Sequence, residues 1–421
     1  MSFVLIGSLL LLLAIGMPVA FALWITGLSA VVIFKVTSFT QIAQSMFSGL
    51  DSFVLLAIPF FILAGNIMLR SGFAKYLFDL MQTLVGGVAG GASVGATGAS
   101  AIFGAMTGSS VASAAALGRV MIPVMGTLGY PRPFTAGLMA AGGTLGILIP
   151  PSVTFVIYAE MAQQSVKDLF LAGVVPGILA AIAIGIVAFT IARRKGYGKS
   201  TEPFSIRAVW SAFVLAGPAL MMPGIVLGGI YLGVFTPTEA AAVSAVYGLL
   251  IGMFVYRTIK LSDLPGIFID SARSTAAILF ILSGALFVGM VATLAGIPDT
   301  IVNFITHLEL GAIGFLFLVN AVLLVLGCFL DGFTLLTVVT PLLLPTVKAL
   351  DINLIHFCIV LTLNIEIAAI TPPVGLNLFV ITGISGTTMQ EVVKGAFPFV
   401  FALMATLILI TLFPVISLIL L

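Results

Sequence analysis

The residues of this chain that could do chemistry are few, and most sit where a polar group is costly. Glu160, Glu239, Asp331 and Glu366 occur in runs otherwise apolar enough to cross a bilayer, where a carboxylate costs roughly 2.5 to 3.5 kcal/mol on insertion scales. Hydroxyls and glycine meet in Gly108-Ser109-Ser110, and Asp331-Gly332 stands in a comparable setting. Two proline pairs, Pro150-Pro151 followed by Ser152 and Pro372-Pro373 preceded by Thr371, interrupt apolar runs. Proline donates no backbone hydrogen bond and clashes with the preceding turn, so a helix must open at each pair. Hydrocarbon cannot satisfy the groups this frees, which are tolerated at membrane depth only where they are buried in protein or line a wet cavity. Hydroxyl, carboxylate and opened carbonyl oxygens are the hard donors an alkali cation requires. Helix N-termini at the same places offer amides and a positive dipole end to an anion.

Other activities find little support. Nucleophilic catalysis needs a base within reach, and neither Ser109 nor Ser110 has an evident His or Lys partner; no His-Glu-x-x-His spacing or transmembrane aspartate pair occurs. His307 and His356 are isolated, and Cys328 and Cys358 lie in apolar segments that suit buried free thiols. No catalytic residue, cofactor or resident metal is expected. A net charge of +2 spread over the chain makes no nucleic-acid surface. Hydrophobic residues make up 61% of the 421 positions and charged ones 7%, against about 25% charged in soluble domains, so the chain belongs in a lipid bilayer. A channel shares these features, and saturation of flux separates it from a carrier.

The elements that must position these groups follow from the breakers. Phe3 to Phe34 is one apolar stretch, about 48 Å long if helical throughout against a hydrocarbon core of about 30 Å. Gly16-Met17-Pro18 is its natural break, giving two short spans or one kinked helix. No charged segment precedes it, so it reads as membrane-spanning and not as a signal peptide. Thr37 to Leu50 suits an amphipathic interfacial helix, and Ser52 to Leu69 a span. From Gly86 to Gly126 the composition shifts to Gly, Ala, Ser and Thr, which let helices pack closely in lipid. Thr107-Gly108-Ser109-Ser110 interrupts this run, which predicts a re-entrant hairpin; the alternative is two ordinary small-residue spans. The proline-broken run from Ala136 to Tyr158 follows, then a span from Leu171 to Ile191. Arg193-Arg194-Lys195 through Lys199 to Arg207 is the most basic loop, which the positive-inside rule places in the cytoplasm.

Beyond that loop the pattern begins again. Pro123 and Pro345, Leu128 and Leu350, Pro150 and Pro372, Pro151 and Pro373, Gly173 and Gly395, and Pro176 and Pro398 are each 222 residues apart. The chain therefore reads as an internal duplication in which Ser109 and Ser110 correspond to Asp331 and Gly332. A second hairpin is expected from about Gly311 to Leu350. The first half ends in the basic loop, whereas the end near Leu421 is uncharged; Arg70 and Lys75 correspond to a stretch with Asp299, His307 and Glu309 and no Lys or Arg. Oppositely oriented halves of five spans each account for this asymmetry. The expected fold class is an all-α polytopic membrane protein, an inverted repeat with two re-entrant helical hairpins and two discontinuous helices. Residues 1–85 and 208–310 would form a scaffold, with amphipathic connectors at Thr37 to Leu50 and Leu261 to Ser271. Residues 86–192 and 311–421 would form a transport domain, and 193–207 the cytoplasmic loop.

In such folds half-helix ends converge near the midplane. One cation site is expected from Gly108, Ser109 and Ser110 with Thr144, Ile149 and Pro150, and its twin from Asp331 and Gly332 with Asn364, Thr371 and Pro372. An anion would lie between the hairpin tips, near Ser110, Pro151, Ser152, Gly332, Pro373 and Asn377. Ser109, Ser110 and Asp331 equally suit N-caps of the second hairpin arms, a role that does not exclude ion binding. Glu239 has a structural reason, since Thr236-Pro237-Thr238-Glu239 spells a capping box with proline at the first helical position. Glu366, one turn before the second break, is open to cation binding, to pairing or to hydration.

Four segments taken together carry a family resemblance: Thr236 to Val243 (TPTEAAAV), Gly108-Ser109-Ser110-Val111-Ala112, Gly146 to Ser152 (GILIPPS) and Leu330-Asp331-Gly332. In this order they resemble the large membrane subunit of tripartite ATP-independent periplasmic (TRAP) transporters, over essentially the whole chain. The resemblance implies a Na⁺-coupled importer of organic acids, usually carboxylates or sialic acids, that works by an elevator mechanism in a bacterial inner membrane. It also implies a small membrane subunit and a periplasmic substrate-binding protein as partners. No segment resembling the small subunit is fused at either end, so a separate partner chain is expected. A stand-alone anion symporter of similar topology is the neighbouring reading, separated by whether uptake needs a binding protein.

Overall fold

Glycine, proline and capping hydroxyls divide an almost uniformly apolar chain into helices. The computed structural model describes residues 2–35, 37–85, 88–198, 205–308 and 310–421. Gly86, Lys199 and Glu309, which entered the reading above, lie outside the described residues. The first half runs through α1 (Ser2–Ala14), α2 (Val19–Phe34), α3 (Phe39–Leu50), α4 (Ala57–Arg70), α5 (Phe73–Leu84), α6 (Gly91–Thr107), α7 (Ser110–Thr127), α8 (Arg132–Leu148), α9 (Val153–Ala162) and α10 (Val166–Lys195). The second comprises α11 (Ile206–Tyr231), α12 (Pro237–Leu250), α13 (Leu264–Leu294), α14 (Ile297–His307), α15 (Ala312–Gly327), α16 (Gly332–Ala349), α17 (Leu354–Ala369), α18 (Leu376–Ser385) and α19 (Met389–Leu412). No strand occurs among the described residues. Eight of the described helices are long and apolar enough to cross a membrane, or nine with α3 and α4 taken as one bent span. The protein is a multi-pass membrane protein.

Gly16, at φ +82°, and Pro18 part α1 from α2, so the first apolar stretch is two short helices. Thr236 accepts from the Glu239 amide (3.3 Å) while Glu239 Oε2 accepts from the Thr236 amide (2.8 Å), the capping box that opens α12. Thr388 and Glu391 repeat the device at α19. One expectation fails: Leu261 to Ser271 is not a separate connector. A short 3₁₀ turn at Leu261–Asp263 leads straight into α13, whose only proline, Pro265, sits in the first turn, so nothing stops the helix before Leu294. In the first half α3 ends at Asp51, and the chain bends by 61° before α4.

The duplication is visible in the helices themselves. α7 and α16 begin at Ser110 and Gly332 and α8 and α17 at Arg132 and Leu354, each pair 222 residues apart. Contacts exchange in the same way: α2 packs on α13 as α12 packs on α4, and α19 on α8 as α10 on α17. Each of these contacts thus has its counterpart between the corresponding helices of the other half. At the centre stand α8 and α17, with every residue from Phe134 to Leu148 and from His356 to Ala368 buried. A helix apolar on most of its faces belongs inside a protein, and small residues bring its neighbours close. A Cβ on Gly137 of α8 would fall within the Gly395 backbone of α19, and one on Gly104 of α6 would lie 2.8 Å from Gly146 Cα.

Candidate functional site

The first hairpin turns at Gly108, at φ +61°, whose amide donates to the Gly104 carbonyl (3.0 Å); Ser109 caps α7 by accepting from the Ala112 amide (3.4 Å). A Cβ on Gly108 would lie 3.0 Å from the Pro151 carbonyl oxygen and 3.3 Å from the Val153 amide, so the turn rests on the opened backbone of the first break. That break lies between Leu148 and Val153, with a cis bond between its prolines. Pro151 lacks the amide that would reach the Ile147 carbonyl, and Ser152 Oγ donates there instead (2.6 Å). The first break is closed on itself, and Pro150, Pro151 and Ser152 are buried.

The second hairpin turns between Gly327 and Gly332. Asp331 caps α16: one carboxylate oxygen accepts from the Phe333 and Thr334 amides (3.1 Å each) and the other from the Thr334 hydroxyl. The Val374 amide donates to the Cys328 carbonyl (3.0 Å), tying the second break to this tip, and the Gly332 position packs against the Ile365 side chain. Here the halves differ. Pro372 and Pro373, also joined by a cis bond, are exposed where their counterparts are buried.

Both tips, the second break and the residues flanking the first break border one cavity of about 60 Å³. Ser109 and Ser110 line it from the first tip, Asp331 and Gly332 from the second, Ile147 and Thr154 flank the first break, and Ala369 and Val374 to Leu376 come from the second. It has room for a few water-sized groups and is well below the roughly 300 to 1,000 Å³ of ordinary small-molecule sites. Gly108, Pro151 and Ser152 lie just behind the first tip. The other residues singled out in the sequence are placed differently. Thr144 is fully buried in α8 and donates to the Ala141 carbonyl (2.7 Å). Ile149 borders an apolar groove with α6 and α10. Thr371 Oγ1 donates to the Ile367 carbonyl (2.6 Å). Asn364 turns to α15 and donates to Asn320 Oδ1 (2.8 Å). Asn377 donates to Ser110 Oγ (2.7 Å) and to the Ala140 carbonyl (3.0 Å), fastening the second repeat to the first hairpin tip.

A family model described as "Tripartite ATP-independent periplasmic transporter, DctM component" matches residues 6–416. The chain belongs to this family. Among DctM-family relatives, the C4-dicarboxylate TRAP transporter large permease protein DctM of Rhodobacter capsulatus is 36% identical over 431 residues, covering 99% of this chain and 98% of that protein. The sialic acid TRAP transporter large permease protein SiaM of Vibrio cholerae is 34% identical, covering 97% and 96%. These relatives are named as transporter permeases, not as enzymes. In fold the chain also resembles the YdaH transporter of Alcanivorax borkumensis, with a TM-score of 0.65 at 14% identity over 89% of this chain and 87% of that one.

In this DctM-family chain, further polar groups lie behind the site. Sequence reasoning missed Asn320, which is 5% exposed, accepts from Asn364 and donates to Thr411 Oγ1 (3.0 Å). Its signal was its isolation as a lone amide in the apolar run from Phe315 to Leu326. Thr107 and Ser113, whose hydroxyls meet at 2.6 Å inside the first hairpin, were also missed. Both oxygens of Glu366, which is fully buried, and Oδ1 of Asn377 have no hydrogen-bond partner among the described residues.

Proposed function

We propose that this chain is the large permease of a Na⁺-coupled, binding-protein-dependent importer of a small organic acid in a bacterial inner membrane, and that it works by an elevator mechanism. The observation that carries the reading is the one cavity bordered by both hairpin tips, by the second break and by the residues flanking the first. Residues 86–192 and 311–421 move as the transport domain against a scaffold of 1–85 and 208–310. Reciprocal packing of the two halves, together with basic residues at one end of the first half and none at the matching end of the second, favours oppositely oriented repeats. The N-terminal ends of α7 and α16 direct amides toward a carboxylate held between the tips.

Two cation sites flank that position. One draws on the Ser109 and Pro151 carbonyls and the hydroxyls at Ser110 and Ser152; the other uses the Asp331 carboxylate with backbone oxygens at the second break. Na⁺ accepts such hard oxygens without a fixed geometry, so ions complete a donor set that the caps assemble only in part. The relatives named for C4-dicarboxylates and sialic acid support a carboxylate cargo, delivered by a periplasmic binding protein to this chain and a small membrane subunit. The cavity is too small for such a cargo as it stands, so one tip must swing away during loading. Ala369→Leu, which adds bulk at the cavity wall, tests the site. The expected result is loss of Na⁺-dependent uptake with normal assembly of the membrane subunits, and undiminished uptake would remove the cavity from the pathway.

A further inference from the structure

A second cavity lies along the first hairpin, away from its tip. It is open, about 640 Å³, and is lined by α7 from Gly118 to Thr127, by Tyr130 and Arg132 at the start of α8, and by Ile384 and Ser385 at the end of α18. That volume matches ordinary small-molecule sites, roughly 300 to 1,000 Å³. Arg119 and Arg132 border it, both exposed, and neither is paired with another described residue. A guanidinium fork matches a carboxylate bidentately, and two of them on one concave wall make a field that concentrates small anions.

The groove is connected to the central site by a shared pair of helices. α7 carries Ser110 at the central cavity and Arg119 at this one, about 13 Å further along the helix. α18 runs beside it, with Asn377 bonded to Ser110 at one end and Ile381 against Gly118 at the other. The groove also opens beside the basic segment. Tyr197, just after Arg193, Arg194 and Lys195, packs on Phe134 (5.6 Å) and Tyr130 (6.2 Å), which puts the arginine pair on the side that the positive-inside rule assigns to the cytoplasm.

We infer that this groove is an anion-binding vestibule on the cytoplasmic side, in which Arg119 and Arg132 receive the carboxylate of the cargo after it leaves the central cavity. The inference rests on the proposed import of an organic acid. The pair lowers the barrier to release by offering the carboxylate a charged partner before it is fully hydrated.

Two measurements on the purified assembly of this chain with its small subunit test it. In the first, phenylglyoxal modification of individual arginines is followed by mass spectrometry with succinate, N-acetylneuraminate, inorganic phosphate or phosphatidylglycerol vesicles as probe. One of the carboxylates, at about ten times its half-protecting concentration, is expected to slow modification of Arg119 and Arg132 about tenfold while Arg257 is unaffected. No protection, or protection by phosphate or phosphatidylglycerol but by neither carboxylate, overturns the proposal, the latter in favour of a lipid headgroup site. In the second, Arg119→Gln combined with Arg132→Gln is reconstituted with the binding protein. Turnover is expected to fall about tenfold or more, with unchanged half-saturation for Na⁺ and for the binding protein and partial rescue by lysine at both positions. Wild-type turnover in the double variant overturns the vestibule. Carboxylate protection of both arginines in an assembly that imports neither acid would support the groove and overturn the import reading instead.

Discussion

Gly108→Ala is the perturbation whose cost can be worked most directly from the structure. Gly108 sits at φ +61°, where a residue with a Cβ loses roughly 1 to 2 kcal/mol. The new Cβ would also lie 3.0 Å from the Pro151 carbonyl oxygen and 3.3 Å from the Val153 amide, backbone atoms that cannot rotate aside. Overpacking of this kind costs about 1 to 3 kcal/mol. The combined penalty, about 2 to 5 kcal/mol, falls on the state in which the tip is seated on the first break. If that state is the one that binds cation, the apparent Na⁺ affinity drops by the fraction of molecules still seated, at least about thirtyfold. The assay is the Na⁺ half-saturation of uptake in proteoliposomes, with recovery of the assembled membrane subunits as the check on folding. Gly383→Ala, in α18, is the contrast, because its Cβ would meet nothing within 4 Å and its φ is not in the left-handed region. A Gly108→Ala protein with wild-type half-saturation for Na⁺ would refute the claim that the seated tip forms a cation site.

At Asp331, capping and cation binding separate by substitution: Asp331→Asn keeps an oxygen for the Phe333 and Thr334 amides but removes the charge. It should fold normally and lose Na⁺ dependence, whereas Asp331→Ala loses both and a further 0.5 to 2 kcal/mol or so of hairpin stability, read as a lower melting temperature. Cys328 is partly exposed at the second tip and Cys358 is buried, so a maleimide should label the first and spare the second, and Na⁺ with cargo should slow that labelling; equal labelling of both thiols contradicts the packing described. Asn320→Leu should cost only about 1 kcal/mol, measurable as a small drop in melting temperature, because Asn364 still donates to the Val360 carbonyl and Thr411 to the Leu407 carbonyl.

The helix breaks were legible where proline stands in a pair or beside a glycine turn, as at Pro150-Pro151, Pro372-Pro373 and Gly16-Met17-Pro18, whereas lone prolines such as Pro123 and Pro218 are carried inside helices. The capping box at Thr236 was legible for the same kind of local reason. The duplication could be read because prolines and glycines keep their spacing, although only the proline pairs among them break a helix: Pro123, Pro176, Pro345 and Pro398 stand inside helices. Other features depend on neighbours distant in sequence. The fusion of Leu261 to Ser271 into α13 is the exception, a local feature: no stop occurs before Leu294, and Arg273 occupies the position that corresponds to Asp51, which caps α3. Asn377 turns toward Ser110, across 267 residues, because its helix packs along the first hairpin, which no local pattern announces. The burial of Pro150-Pro151 and the exposure of Pro372-Pro373 reflect what covers each break, a difference that the shared proline pair conceals.

The central claim is that this chain carries an organic acid with Na⁺ as part of a three-component importer, and uptake in proteoliposomes tests it most directly. Proteoliposomes holding this chain and its small subunit, supplied with the binding protein loaded with succinate or N-acetylneuraminate, should accumulate the acid under an inward Na⁺ gradient. Accumulation should stop when the binding protein is withheld or when K⁺ replaces Na⁺. Uptake that proceeds at the same rate without either would contradict the account.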